Sequence, residues 1–258
     1  MDLPFYQIND KIYPRVTLIL DVLNPGFGLM KYKITKALEA YKEICSYHFD
    51  KTIDINSDIE IKRSGEPRAE KIKLLDRVLE LSKREVEEAA NHGTLVHEML
   101  EEHVANKGIL DDSLESQGFL AWQKEHKPKF LETEQVLFHP DLCYAGTCDL
   151  ICKIGKETWI VDYKTSNKLY PKNGLQLTSY AMAKEKISNV KIDKIGCLQL
   201  GKNKKGFYFK EYPRQDDIVE ILVKLFSWMN PNFVKNQEKA IKEKFADSPK
   251  LVNHKIKL

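Results

Sequence analysis

An α+β domain, a mixed β-sheet with helices on its flanks, is the fold this sequence predicts within the broad α/β class. Three observations predict it. The chain up to about residue 131 holds long stretches suited to helix. Between Gln135 and Lys164 three apolar runs follow one another through short turns, as a meander does. A helix over residues 174–187 then separates that meander from two further strands.

Residues 12–23 open the domain. Residues 29–48 read as a helix, with no Gly or Pro after Gly28. Residues 50–68 are polar, and Ser64-Gly65-Glu66-Pro67 marks a loop. A long helical run follows from Glu70 to Asn106, with an interruption expected near Asn91-His92-Gly93, and another helix spans 113–131, with Pro128 near its end. The β portion is expected from Glu134. Its strands are Gln135 to His139, Tyr144 to Ile154 and Glu157 to Lys164. Lys194 to Leu200 and Phe207 to Tyr212 pair across a Gly201-to-Gly206 turn. A Lys-rich helix from Asp216 closes the chain. The expected division is a mainly helical region or cap over 1–92, a core over 93–215 and a basic C-terminal helix and tail over 216–258, all within one structural domain. Tyr13, Phe27 and Tyr32 can stack on bases or fill the core.

The 258 residues are 42% hydrophobic and 31% charged, the balance of a soluble globular protein. No apolar run approaches the roughly 18 residues of a membrane span. Met1-Asp2-Leu3-Pro4-Phe5 has neither the basic nor the apolar region of a leader, so a cytoplasmic protein is expected. The five cysteines, without C-x2-C, fit reduced thiols and no zinc ribbon. Cys148 and Cys152 are expected to pack as small hydrophobes. Net charge is +3, but residues 191–258 carry +7 and the rest −4. Lys202, Lys204 and Lys205 cluster at a predicted hairpin tip, where they can follow phosphate or serve solubility.

Asp149 and Asp162 end two apolar strands joined by the turn at Lys153 to Lys156. Lys164, two residues beyond Asp162, shares its strand face. Two acids and a lysine on one face are costly as packing. They suit a divalent cation beside a polyanion, since Mg2+ prefers carboxylates, retained water and phosphate. His97 shares a helix face with Leu100, Glu101 and Val104 and can supply a nitrogen ligand, with Glu101 behind it. Gln176 and Tyr180 lie one helical turn apart.

The ordered set is Gly93-x3-His97, Gly146-x2-Asp149, Asp162-Tyr163-Lys164-Thr165 and Gln176-x3-Tyr180. It resembles the PD-(D/E)XK nuclease superfamily, in its RecB-like exonuclease branch, over about a third of the chain, residues 93–182. The Tyr13-Pro14-Arg15-Val16-Thr17 opening is loosely similar to phage members. The resemblance implies a restriction-endonuclease-like core. It also implies metal ligation by His97, Asp149, Asp162 and the Tyr163 carbonyl, Lys164 as catalytic lysine, and Gln176 and Tyr180 in support. Glu134 falls where many members carry a Glu, in a catalytic or a structural role. The implied cofactor is one or two Mg2+ or Mn2+ ions. Only Cys197 follows the Gln176–Tyr180 helix, so no iron–sulfur cluster is expected. Gly196-x4-Gly201-Lys202 imitates a phosphate-binding loop but ends in Asn203 within a strand–turn–strand segment. The implied partner is DNA with a free end, single-stranded or double-stranded, and no membrane. The expected activity is a metal-dependent exonuclease of repair, recombination or phage DNA metabolism. The alternatives are a structure-specific endonuclease and a catalytically silent DNA-end-binding protein.

Overall fold

The structure, a computed structural model, describes residues 3–9, 11–23, 27–48, 56, 58–61, 70–106, 108–202 and 205–245. The chain divides into two compact units, one made of Met1–Leu23 with Val96–Leu258 and the other of Asn24–Leu95.

The first unit opens with a hairpin, β1 (Phe5–Ile8) and β2 (Lys11–Pro14), followed by the short helix α1 (Val16–Leu20) and one 3-10 turn, Asp21–Leu23. The second unit holds α2 (Phe27–His48), an antiparallel hairpin of β3 (Asp58–Ile61) and β4 (Glu70–Lys73), and the first part of α3 (Leu74–Asn106). Ile44, Ile59, Leu74 and Val78 form its core. The expected helix start at Glu70 is corrected here: Glu70–Lys73 is a strand paired with β3, and the helix begins at Leu74. The expected interruption at Asn91-His92-Gly93 is absent too. One glycine costs a helix only about 1 kcal/mol, which a helix of 33 residues absorbs.

The rest of the first unit consists of α4 (Leu114–His126), β5 (Lys129–His139), β6 (Tyr144–Ile154), β7 (Glu157–Lys164), α5 (Pro171–Ile187), β8 (Lys194–Leu200), β9 (Phe207–Tyr212), α6 (Asp216–Met229) and α7 (Phe233–Phe245). Ser113 caps α4, its hydroxyl accepting from the Ser116 N–H, and Lys127 ends it in the left-handed region. The strand that follows thus starts at Lys129, five residues before the expected onset. The single C-terminal helix expected from Asp216 is two helices, broken where Pro231 supplies no N–H.

The five strands β5 to β9 lie in sequence order in one sheet. All neighbours are antiparallel except β7 and β8, which α5 joins by the crossover that a parallel pair needs. This is the expected α+β core, a mixed sheet flanked by helices. Both sheet faces are buried. One packs Ile151, Ile160, Ile195 and Cys197 with α1, α5 and α6 through Val16, Leu177, Ala181 and Phe226. The other packs Leu150, Cys152, Val161, Tyr163 and Leu198 with Val96, Leu100, Phe119 and Trp122 of α3 and α4. Tyr13 is buried against Ile8 and Ala145; the side chains of Phe27 and Tyr32 lie outside the described residues. Among the described residues no helix is long and apolar enough to cross a membrane.

Candidate active site

The site forms where β6 and β7 part. Their ladder runs from Ile154–Glu157 to Leu150–Val161 and stops one step before Asp149 and Asp162. Beyond it the Asp149 carboxylate, not a backbone carbonyl, accepts the Tyr163 N–H at 2.7 Å. The carboxylate is therefore built into the split, where one backbone donor fixes it.

A second irregularity aims it. Leu150 and Cys148 are two residues apart, yet Leu150 packs on the α4 side and Cys148 on the α5 side. Across the ladder Thr133 pairs with Leu150 and Gln135 with Cys148, so Asp149 and Glu134 occupy the step between. Glu134 has φ 48°, a region costly for a residue with a Cβ, and such strain gathers at functional sites. The alternation thus breaks at these two acids on both strands. For the same reason Cys148 and Cys152, both fully buried, end on opposite faces.

His97, on α3, reaches this point from the other face. Its Nε2 lies 3.1 Å from the Tyr163 carbonyl oxygen and its Nδ1 3.4 Å from Asp149 Oδ2. Both ring nitrogens face acceptors, which suits the doubly protonated ring. Burial lowers its pKa, but Asp149 and then Asp162 more than offset that, and the net shift is upward. His97, Glu134 and Asp149 offer ligand atoms all within 4.8 Å of one another. Glu134 is pushed up to about 7, first by burial and then by the nearby Asp149 and Glu101 carboxylates. An imidazole, carboxylates and a backbone carbonyl form a donor set suited to a hard or borderline divalent cation, and the crowding of negative charge is what such a cation relieves.

Asp162 and Lys164 point to the α5 face, as period-2 alternation expects. Asp162 is 2% exposed, and its Oδ2 lies 2.5 Å from Lys164 Nζ. The buried Cys197 thiol, opposite Asp162 on β8, donates to the same oxygen at 3.8 Å. Burial raises the Asp162 pKa, which Lys164 opposes. Burial lowers that of Lys164, but Asp162 and Asp149 reverse the sign and hold the ammonium charged. Gln176 donates through Nε2 to the Tyr180 hydroxyl at 2.9 Å. The Tyr180 ring lies against Gly146, where an added Cβ would fall 2.6 Å from its Cε1.

The structure therefore brings His97, Asp149, the Tyr163 carbonyl and Glu134 together, with Asp162 and Lys164 alongside. Glu134, for which the sequence left a structural role open, stands inside the cluster. Asp162 stands beside it, in the pair with Lys164. His103 instead meets the Gly108 carbonyl through Nδ1. At the hairpin tip Lys205 lies 3.5 Å from Glu125 and over the Phe207 ring, and Lys204 is outside the described residues.

No protein-family model matches this chain, and no curated protein matches it. Among solved structures, it is similar to an alkaline exonuclease from Laribacter hongkongensis, at 11% sequence identity and a TM-score of 0.37, over 58% of this chain and 85% of that one.

Proposed function

We propose that the chain is a divalent-metal-dependent deoxyribonuclease, an exonuclease that hydrolyses phosphodiester bonds at DNA ends in repair, recombination or phage DNA metabolism. One observation carries the reading: His97, Glu134, Asp149 and the Tyr163 carbonyl converge at the strand split, beside the buried Asp162–Lys164 pair. The four ordered motifs of the RecB-like pattern support it. His97, Asp149, Asp162 and the Tyr163 carbonyl would hold Mg2+ or Mn2+, with Glu134 beside them. Such an ion supplies a Lewis acid for the phosphodiester and lowers the pKa of an attacking water.

The chain's own groups do the rest. Lys164 keeps its ammonium charged and can orient the water or offset charge growing on the phosphate. Asp162 holds that ammonium in place. Tyr180, seated over Gly146, fixes the Gln176 amide, whose carbonyl oxygen remains to orient Lys164. Asp149 ties the backbone at Tyr163 to the site, so the carbonyl and the lysine are set by one short segment.

End-labelled single- and double-stranded oligonucleotides with Mg2+ or Mn2+, set beside a covalently closed plasmid, test the reading. Stepwise loss of ends, an intact plasmid and full inhibition by EDTA are expected. Undiminished cleavage in EDTA would remove the metal from the reaction, and plasmid linearisation would make the enzyme an endonuclease.

A further inference from the structure

The loop that leaves the catalytic strand is held rigidly and presents a basic and aromatic surface. It runs from Thr165 to Tyr170, between β7 and α5. Gln199 Nε2 donates to the Ser166 carbonyl at 2.6 Å, and the Ser166 hydroxyl donates to the Lys168 carbonyl at 3.0 Å. The Tyr170 N–H donates to Asn173 Oδ1 at 2.7 Å, and the Tyr212 hydroxyl donates to the Tyr170 carbonyl at 3.2 Å. Leu169 packs inward on the core, which turns its neighbours outward. Lys168 and Lys172 are exposed, and Tyr170 is 53% exposed.

The charge here is of one sign. No Asp or Glu occurs from Thr165 to Lys184. Among the described residues neither Lys168 nor Lys172 has a carboxylate partner. Lys210 adds a third cation, its Nζ 4.6 Å from the centre of the Tyr212 ring that braces Tyr170.

We propose that Lys168, Tyr170 and Lys172 form a binding platform for a single DNA strand next to the active site. Tyr170 stacks on one base and the lysines take the flanking phosphates. The proposal rests on the nuclease reading and adds the strand it handles. Lysines alone would suit any polyanion. The ring between them favours single strands, because bases inside a duplex are stacked on both faces and only its end pairs leave one open, while phosphate contact alone does not read strandedness. The hydrogen-bonded loop means little conformational freedom is lost on binding, so the stacking gain survives as affinity.

The test is binding of a fluorescent 20-nucleotide single strand and of a blunt duplex of the same sequence, by anisotropy in EDTA, where cleavage plays no part. Tyr170→Ala should weaken single-strand binding about tenfold, the order expected for one lost stack. It should leave duplex binding unchanged, and Tyr170→Phe should behave like wild type. Lys168→Ala with Lys172→Ala should flatten the salt slope on the single strand by about 1.4, two phosphates' worth. Melting temperatures of each variant check the fold. Unchanged single-strand affinity in folded Tyr170→Ala, or equal losses on both DNAs, would overturn the platform. A wild-type chain that binds neither DNA would instead bring down the nuclease reading.

Discussion

Lys164 Nζ and Asp162 Oδ2 share one short contact, in a place where an unpaired charge is expensive. The pair sets a clear expectation for substitution. Lys164→Gln keeps a donor toward Asp162 and should fold, whereas Lys164→Ala strands a buried carboxylate and should also cost about 3 kcal/mol of stability. Both should cleave DNA at least about 100-fold more slowly, the scale of losing one preorganised electrostatic group. Single-turnover rates alongside denaturant midpoints read the two effects separately; wild-type rates in folded Lys164→Gln would take the lysine out of the chemistry. At this scale much was legible. Period-2 spacing put Lys164 beside Asp162, and tight joining of two strands put Asp149 near it. Glu134 was not placed, because its route into the cluster runs through a left-handed backbone angle inside a strand. No alternation rule anticipates that step. The signal available was its position, where many members of the family that the motifs resemble carry a Glu.

Among the elements, β6 and α5 meet at one close approach. Gly146 leaves room for the Tyr180 ring, which is 4% exposed and cannot swing aside. Gly146→Ala should therefore cost about 1–3 kcal/mol, as overpacking does. It should also lower activity, since the displaced ring carries the Gln176 contact with it. Chemical denaturation and cleavage rates on the same sample check this, and an unchanged midpoint would show that the ring is not the constraint. Thus the glycine of Gly146-x2-Asp149 has a packing reason, and Tyr180 has a structural place of its own beside its contact with Gln176. The strands from Tyr144 onward were legible because their apolar runs are bounded by turns such as Gly155 and Gly201, both with positive φ. The Glu70–Lys73 strand was not, since Glu-Lys-Ile-Lys lacks β-branched density and leads directly into helical spacing. Its strand state comes from pairing with Asp58–Ile61, a tertiary override of local propensity.

For the whole molecule, the proposed cation site should couple cation binding to stability and pH. In the metal-free protein the Glu134 pKa rises from 4.5 to about 7. Its destabilising charge is absent below about 4.5, and the cost grows as pH climbs through 7. The raised His97 pKa acts in the same direction: its stabilising charge is present below the ordinary value of 6.5 and is lost as pH rises through the higher folded value. Metal-free stability contributed by the site should therefore fall from pH 6 to pH 8. A divalent cation bound there would replace those protons, so the gain in melting temperature on saturating with Mn2+ should be larger at pH 8. With Glu134 only half-buried, the difference is discounted to about 1 kcal/mol, or about 2–4 °C for a chain of this size. Comparing the gain with and without Mn2+ at each pH cancels the titration of groups remote from the site. Glu134→Gln should remove part of the difference, because it can neither titrate nor crowd Asp149 with charge. Equal gains at pH 6 and pH 8 would mean that the cation does not displace protons from this cluster, and so does not bind where His97, Glu134 and Asp149 meet.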